Sequence, residues 1–262
     1  MTNRFIKNRF LLPALMAGLG FLLAGRVMAQ AFTNLYSFTA DTSGYNSDGA
    51  DPFAGLILAN NILYGTTENG GTNGAGTVFS VNTDGTNFTT LHDFAGINTR
   101  FPEQAGLILS VGTLYGVTSG GGLNGEGAVF AVSTNGCGFT NLYSFTALTS
   151  ITNWDGANPT AGLILSGSTL YGTAADGGTN NQGTIFAIST NGETFTTLHS
   201  FSAAGYNSSG QDTNSDGANP VAGLVLEGNT LYGTAYVGGT NGQGTVFAIS
   251  GYNRRFYRAV IP

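Results

Sequence analysis

Apolar and polar residues alternate along this chain in short runs, and the runs return in the same order four times. In the stretch 184–189, Thr184, Phe186 and Ile188 fall on one side of an extended chain and Ile185, Ala187 and Ser189 on the other, the period of two expected of a β-strand. Three further runs accompany it in each unit. They read Gly-Leu-Ile-Leu, Leu-Tyr-Gly-Thr and Phe-Thr-Thr-Leu-His-Ser-Phe, are rich in β-branched and aromatic residues, and are bounded by Gly, Asn, Asp or Pro. No stretch beyond residue 29 has helical spacing, so the pattern predicts an all-β chain.

The units 55–94, 106–145 and 162–201 each run 39 positions from opening Gly to closing Phe, and a fourth, 223–250, keeps the pattern through its third strand. The linkers vary instead, with 12, 17 and 22 steps from Phe94 to Gly106, Phe145 to Gly162 and Phe201 to Gly223. A rigid unit on elastic loops marks a repeat architecture, in which no unit buries its apolar faces alone and copies must stack. Residues 32–38 are an orphan copy of the fourth strand ahead of the first unit, while the last unit stops short of its own. Pairing the two predicts a β-propeller of four repeats, each of about four short antiparallel strands, its ring closed by the N-terminal strand and free of exposed edges. The tail 251–262 breaks the pattern: Arg254, Arg255 and Arg258 crowd into it and the Phe-Thr-x-Leu-x-Ser-Phe spacing is missing. It is read as lying outside the repeat domain, 30–250.

Repetition also supplies controls. His92 and His199, the only histidines, share their position with Tyr36 and Tyr143. A catalytic base does not exchange with tyrosine, whereas a half-buried ring with a polar tip does, so both histidines are expected to be structural. Tyr64, Tyr115, Tyr171 and Tyr232 recur in all four units, as residues packing between neighbours would. Gly74, Gly125 and Gly242 exchange with Asn181, the substitution allowed at a left-handed hairpin position. The glycine-rich segment around them leads into a strand and not a helix, which excludes a phosphate-cradling loop. Neither a nucleophile–histidine pair nor a unique pair of carboxylates is left, so no catalytic residue is assigned and the chain is expected not to be an enzyme.

The beginning of the chain reads as an address. Arg4, Lys7 and Arg9 precede an apolar run from Phe10 to Gly25, and Val27-Met28-Ala29 offers the small residues of a cleavage site, so 1–29 is predicted to be a signal peptide. The protein is then secreted, periplasmic or on the cell surface, with no membrane segment in its mature form. Four of the eight basic residues lie in that segment, and from Gln30 to Asn253 only Arg100 stands against all fourteen acidic residues. That leaves no basic face for nucleic acid. The single cysteine, Cys137, permits no internal disulfide, so the fold must rest on its core. The expected state is a monomer.

The linker loops hold the constellation best suited to a ligand. Asn46-x-Asp48-Gly49, Asn153-x-Asp155-Gly156 and Asn214-x-Asp216-Gly217 are equivalent, and Asp212 precedes the last. Asp212, Asn214 and Asp216 match the opening of a calcium loop, where alternate oxygens converge on the ion and glycine allows the sharp turn. The closing position is Gly223 instead of glutamate. Asx side chains that cap a turn explain the same residues, and that reading is preferred to calcium at Asp212, Asn214 and Asp216, or at Asp48 and Asp155. No other cofactor is indicated. The second loop lacks the aspartate and has Arg100 where the others have glycine. Trp154, where the equivalents are Ser47 and Ser215, is the candidate for stacking on a sugar face.

The combined motif resembles a known family. Leu-Tyr-Gly-Thr-x-x-x-Gly-Gly-Thr-Asn-Gly-x-Gly-Thr-Val-Phe, then Phe-Thr-Thr-Leu-His-Ser-Phe and Asp-Gly-Ala-Asn-Pro-x-Ala-Gly-Leu-Ile-Leu, is similar to the GloVer tandem repeat of exported bacterial "choice-of-anchor" proteins, over residues 32 to about 250. The resemblance implies a secreted or cell-surface, propeller-like protein and carries no biochemical activity with it. The expected function is a non-enzymatic binding or structural role toward a protein or glycan partner. The alternative is a carbohydrate-binding or carbohydrate-active propeller.

Overall fold

Strand-forming residues alternate with glycine and asparagine at the turns, and together they build a series of antiparallel meanders. The computed structural model describes residues 31–41, 43–95 and 105–251. The expected signal peptide, Arg100 and the tail from 252 on lie outside the described residues. All the sheets fall in the unit that begins at Asn34. Sheet 1 holds β1 (Ile57–Ala59), β2 (Ile62–Thr67), β3 (Thr77–Asn82) and β4 (Thr89–Asp93) in sequence order. Sheet 2 repeats it with β5 (Ile108–Ser110), β6 (Thr113–Thr118), β7 (Ala128–Ser133) and β8 (Thr140–Ser144). Sheet 3 does so with β9 (Ile164–Ser166), β10 (Thr169–Ala174), β11 (Thr184–Ser189) and β12 (Phe195–Ser200). A small hairpin, β13 (Gly205–Tyr206) with β14 (Asp212–Thr213), interrupts the last linker. Sheet 4 then has β15 (Val225–Glu227), β16 (Thr230–Ala235) and β17 (Thr245–Ser250). The chain is all-β among the described residues, and every sheet is small and antiparallel.

The hairpins between second and third strands turn on left-handed residues. Gly74, Gly125 and Gly242 have φ of 71°, 88° and 72°, and Asn181 at the same place has φ 55°. A second glycine in each unit acts by its size. Gly65, Gly116, Gly172 and Gly233 lie opposite Phe79, Phe130, Phe186 and Phe247 across the second and third strands. A Cβ added at any of the four would come within 2.5 to 2.6 Å of the phenylalanine Cζ. The ring therefore lies over a backbone that only glycine leaves bare.

Period-two alternation gives each sheet two apolar faces, and successive sheets cover them in a fixed sense. Tyr64 and Val78 of sheet 1 pack with Leu107, Leu114, Phe130 and Val132 of sheet 2. Tyr115, Val129 and Ala131 of sheet 2 pack with Leu163, Leu170, Phe186 and Ile188 of sheet 3. Tyr171, Ile185 and Ala187 of sheet 3 pack with Leu224 and Leu231 of sheet 4, with Phe247 and Ile249 beside them. The tyrosine face of each sheet thus meets the phenylalanine face of the next.

The ends of the stack differ from the expected closure. Residues 32–38 belong to no sheet, and β17 has no fourth strand beside it among the described residues. The rings of 32–38 nevertheless sit on sheet 1 as those of β4 and β8 sit on the sheet that follows, so the backbone pairing is absent and not the seat. Tyr36 lies flat on Phe88 with centroids 3.8 Å apart, and Phe38 meets Phe79 edge-on at 5.4 Å, so the segment covers part of sheet 1. At the other end the tyrosine face of sheet 4 is bare. Val246 is 83 % and Tyr232 43 % exposed, whereas their equivalents in sheets 1 to 3 are at most 8 % exposed.

Gly172→Ala is expected to cost about 1–3 kcal/mol, because the Phe186 ring above it is fully buried and cannot retreat. Gly233→Ala should cost less, since Phe247 is only half-buried, with no fourth strand beside β17 among the described residues. Urea unfolding of the two variants measures the difference, and equal losses would show that sheet 4 is as tightly enclosed as sheet 3.

Candidate functional site

The fourth strand of each unit ends in a ring, two residues before its closing phenylalanine, that reaches across to the next unit. Tyr36 stacks on Phe88 at 3.8 Å, His92 on Phe139 at 3.7 Å and Tyr143 on Phe195 at 3.8 Å, all nearly parallel. Stacking consumes the faces of these rings and leaves their polar tips to be satisfied. The Asn-x-Asp-Gly loop does this. The Tyr36 hydroxyl donates to Asp48 at 2.6 Å, and the Tyr143 hydroxyl to Asp155 at 2.7 Å. His199 Nε2 lies 2.8 Å from Asp216.

Each aspartate takes two further bonds from the residue after the closing phenylalanine. Thr39, Thr146 and Ser202 each give both N–H and hydroxyl to Asp48, Asp155 and Asp216 respectively. The asparagine two positions earlier clamps the same loop. The Asn46 Oδ1 accepts from the Gly49 and Gly71 N–H groups, and its amide donates to the Thr39 and Gly49 carbonyls. Asn153 and Asn214 repeat these bonds. The result is an inter-unit latch, built three times.

The latch governs the ionisation of its members. Burial alone would raise the Asp48 carboxyl, but the Thr39 and Tyr36 hydroxyls and the Thr39 N–H outweigh it and hold its pKa below the ordinary value. Asp216 is held down in the same way against burial, by Ser202 and His199. Burial and the bond to the carboxylate push Tyr36 up to about 12 and raise Tyr143 as well.

His199, Asp216 and Ser202 carry the residue types of a hydrolytic triad, but their bonding is different. The serine hydroxyl is spent on the aspartate and not on the histidine. Tyr36–Asp48–Thr39 and Tyr143–Asp155–Thr146 make the same arrangement without any base. The calcium candidates divide. Asp48, Asp155, Asp216 and Asn214 come together with the latch, their oxygens already accepting hydrogen bonds that an ion would have to displace. Asp212 sits apart from it in β14, opposite Tyr206. Among the described residues no group of three His, Cys, Asp or Glu side chains is placed to hold a metal ion. Trp154 is half-exposed beside its latch, its edge on Phe195 at 5.7 Å, and its carbonyl accepts from Thr197.

One junction has no latch among its described residues. Between sheets 1 and 2 the residue after the closing phenylalanine is Ala95, and the linker carries no Asn-x-Asp-Gly. A pocket of about 330 Å³ at this junction is lined by His92, Asp93, Thr118, Ala128 and Asn141, among others. Gly122 is exposed there, whereas Gly71, Gly178 and Gly239, its equivalents under the clamping asparagines, are buried. Two substitutions within the repeat mark the place. Asp93 replaces the serine found at 37, 144 and 200, and Ala128 replaces the threonine found at 77, 184 and 245. In unit 1 the hydroxyls of Thr67 and Thr77 bond each other at 3.0 Å, whereas Thr118 faces a methyl group. Thr118 Oγ1 is consequently buried without a hydrogen-bond partner; Asp93 Oδ1 is too, but its carboxylate turns to its own hairpin, where Oδ2 accepts from the Thr72 N–H and hydroxyl. Burial also holds the His92 imidazole below its ordinary pKa, against the pull of Asp93, which keeps the ring neutral at neutral pH. Sequence reasoning missed this pocket. Its signal was present in the breaks at 93, 95 and 128, each of which departs from the other units.

The Gloeobacter/Verrucomicrobia repeat matches residues 22–214, and the chain belongs to that family. No curated protein matches it. Solved structures give distant likenesses. A nidogen/laminin complex is 14 % identical with a TM-score of 0.44, covering 72 % of this chain and 55 % of that one. A gluconolactonase from Xanthomonas campestris is 14 % identical with a TM-score of 0.40, over 75 % and 56 % of the two chains. The xyloglucan-locus protein GH43B of Bacteroides ovatus is 14 % identical with a TM-score of 0.38, over 79 % and 40 %. The aligned part of each solved chain is at most about half its length.

Removing a latch carboxylate strands a buried hydroxyl and a backbone N–H. Asp155→Ala should therefore cost about 2–3 kcal/mol in urea unfolding, and Asp216→Ala less, because the last junction is the more open one. The latches also set the response to pH. The raised tyrosines contribute stability that is whole below their unfolded pKa of about 10 and is lost as pH rises through about 12. The depressed Asp48 and Asp216 contribute above their unfolded pKa of about 3.9, and that share is lost as pH falls below it. Melting temperature against pH should show both limbs. The double variant Tyr36→Phe/Tyr143→Phe should flatten the alkaline limb and weaken the acid limb by the share that the Tyr36 hydroxyl contributes at Asp48.

Proposed function

We propose that this member of the Gloeobacter/Verrucomicrobia repeat family is an exported, non-enzymatic protein, whose stacked sheets present linker loops for binding or for building the cell surface. One observation carries the reading. The polar clusters most like catalytic machinery are interchangeable copies of a structural latch, and a reaction centre is not repeated with tyrosine in place of its base. Export rests on the basic and apolar start of the chain and on its cleavage pattern.

A closed propeller is part of this proposal. The bare tyrosine face of sheet 4 has the composition of the faces that sheets 2 to 4 cover elsewhere, and sheet 1 keeps Leu56 and Leu58 exposed on the complementary side. A second reading, carbohydrate binding, is favoured by the pocket at the junction between sheets 1 and 2, where Ala95 and Ala128 depart from the other units. The loops are turn clamps in both readings, with calcium dispensable to them.

Incubation with chromogenic glycosides, esters and lactones should give no turnover above the uncatalysed rate. His199→Tyr, which copies positions 36 and 143, should change nothing but the local stability. Hydrolysis that disappears in His199→Tyr would overturn the non-enzymatic reading. Calcium added to the metal-free protein should leave the melting temperature within about a degree, since an ion that bound the native state alone would raise it with concentration.

A further inference from the structure

Each seam is made of two unlike halves, and among the described residues one of each is left unused. The forward half is the tyrosine face of a sheet with the hairpin between its second and third strands. The receiving half is the phenylalanine face of the next sheet with the loop that leads into it. Between sheets 2 and 3, Tyr115 and Val129 meet Leu163, Leu170, Phe186 and Ile188. Beside them the Asn158 N–H donates to the Glu126 carbonyl at 2.9 Å, and the buried Pro159 ring lies over Gly127. The seam between sheets 3 and 4 repeats this, with Asn219 on Gln182 and Pro220 over Gly183.

Sheet 4 carries a forward half that nothing covers. Tyr232 and Val246 are exposed, no proline lies over Gly244, and the Gln243 carbonyl accepts no hydrogen bond from the described residues. Sheet 1 carries the matching receiving half. Leu56 is 54 % exposed, where Leu107, Leu163 and Leu224 are at most 9 %. With Pro52, Leu63, Phe79 and Val81 it lines an open pocket of about 320 Å³, and these are the equivalents of residues covered at the inner seams. Pro52 is exposed and the Asp51 N–H has no partner among the described residues.

The strand edges match as well. In units 1 to 3 the closing phenylalanine N–H donates to the carbonyl of Gly76, Gly127 or Gly183 at 3.1 Å. The Phe38 N–H lacks that acceptor, and the Gly244 carbonyl lacks that donor. The register of Tyr143 opposite Val129 and of His199 opposite Ile185, carried over, sets Tyr36 opposite Val246 and Ser37 opposite Thr245. Yet the two halves do not meet within the chain. No strand of sheet 4 pairs with sheet 1, and both faces stay bare after three seams of one kind. A second copy supplies to each half the partner it lacks. A head-to-tail contact of this kind leaves one further pair of halves free, which either closes a ring or extends the array.

We propose that the tyrosine face of sheet 4 receives sheet 1 of a second copy of this chain, and that residues 34–38 of that copy join β17 as its fourth strand. The proposal names what closes the propeller and rests on the closed-propeller reading above, with an assembly in place of the monomer expected from the sequence.

Sedimentation velocity of the mature chain, 30–262, should show association that grows with concentration. Val246→Arg blocks the forward half and Leu56→Arg the receiving half. Each should weaken association at least tenfold and leave the melting temperature of the dissociated chain unchanged, because both side chains are exposed. Mixed together, the two variants should associate again as a pair, since each keeps the half that the other has lost. Ser37→Cys and Thr245→Cys, each combined with Cys137→Ser, should form a disulfide between chains when mixed and oxidised. Association that neither arginine weakens, or that mixing does not restore, overturns the proposal. A monomer whose double variant Ser37→Cys/Thr245→Cys cross-links within one chain also overturns it, but leaves the closed propeller standing. A monomer that forms neither cross-link removes both.

Discussion

A meander of three or four short strands with phenylalanine on one face and tyrosine and valine on the other cannot hide both faces by itself. The fold depends on the seam that solves this, the tyrosine face of one sheet against the phenylalanine face of the next. Fully burying one Phe or Leu side chain is worth about 1.5–3 kcal/mol, and each seam buries several. The stacked rings that bridge the seams between sheets 1 and 2 and between sheets 2 and 3 each add about 0.5–1.5 kcal/mol beyond their area. The polar latch is secondary to this. At the junction without one, Val78, Leu114, Phe130 and Val132 remain almost wholly buried, so the seam holds without its clasp.

Much of this was legible in the sequence because repetition averages out local ambiguity. The strands follow the period-two runs, and the exchange of Asn181 with three glycines located a positive φ correctly. The exchange of histidine with tyrosine pointed to a half-buried ring with a polar tip, and the flat stacking of His92 on Phe139 gives that ring its seat. What the sequence concealed was the partner of each residue. The Asn-x-Asp-Gly motif was readable as a turn, but nothing in its spacing says that Asp48 reaches back to Tyr36 and Thr39 across the start of the unit. Pairing along a strand is periodic and can be counted, whereas contact between units depends on how far one sheet is displaced over the next. The rings of 32–38 likewise lie on sheet 1 as the ring of β4 lies on sheet 2, while the pairing expected of the segment is not formed.

The missing latch shows where physical reasoning about stability stops. A buried polar group without a partner costs about 1–3 kcal/mol, and among the described residues Asp93 Oδ1 and Thr118 Oγ1 are two such groups. The remedies stand elsewhere in the same chain. Serine at the position of Asp93 receives the N–H of Leu123 in unit 2 and of Thr179 in unit 3, as Asp93 Oδ2 receives that of Thr72, but it leaves no second oxygen over, and alanine at the position of Thr118 has no hydroxyl to strand. Each remedy is a single substitution that a neighbouring unit tolerates within the same seam. Residues 93 and 118 are therefore not demanded by the packing, which works without them three junctions along.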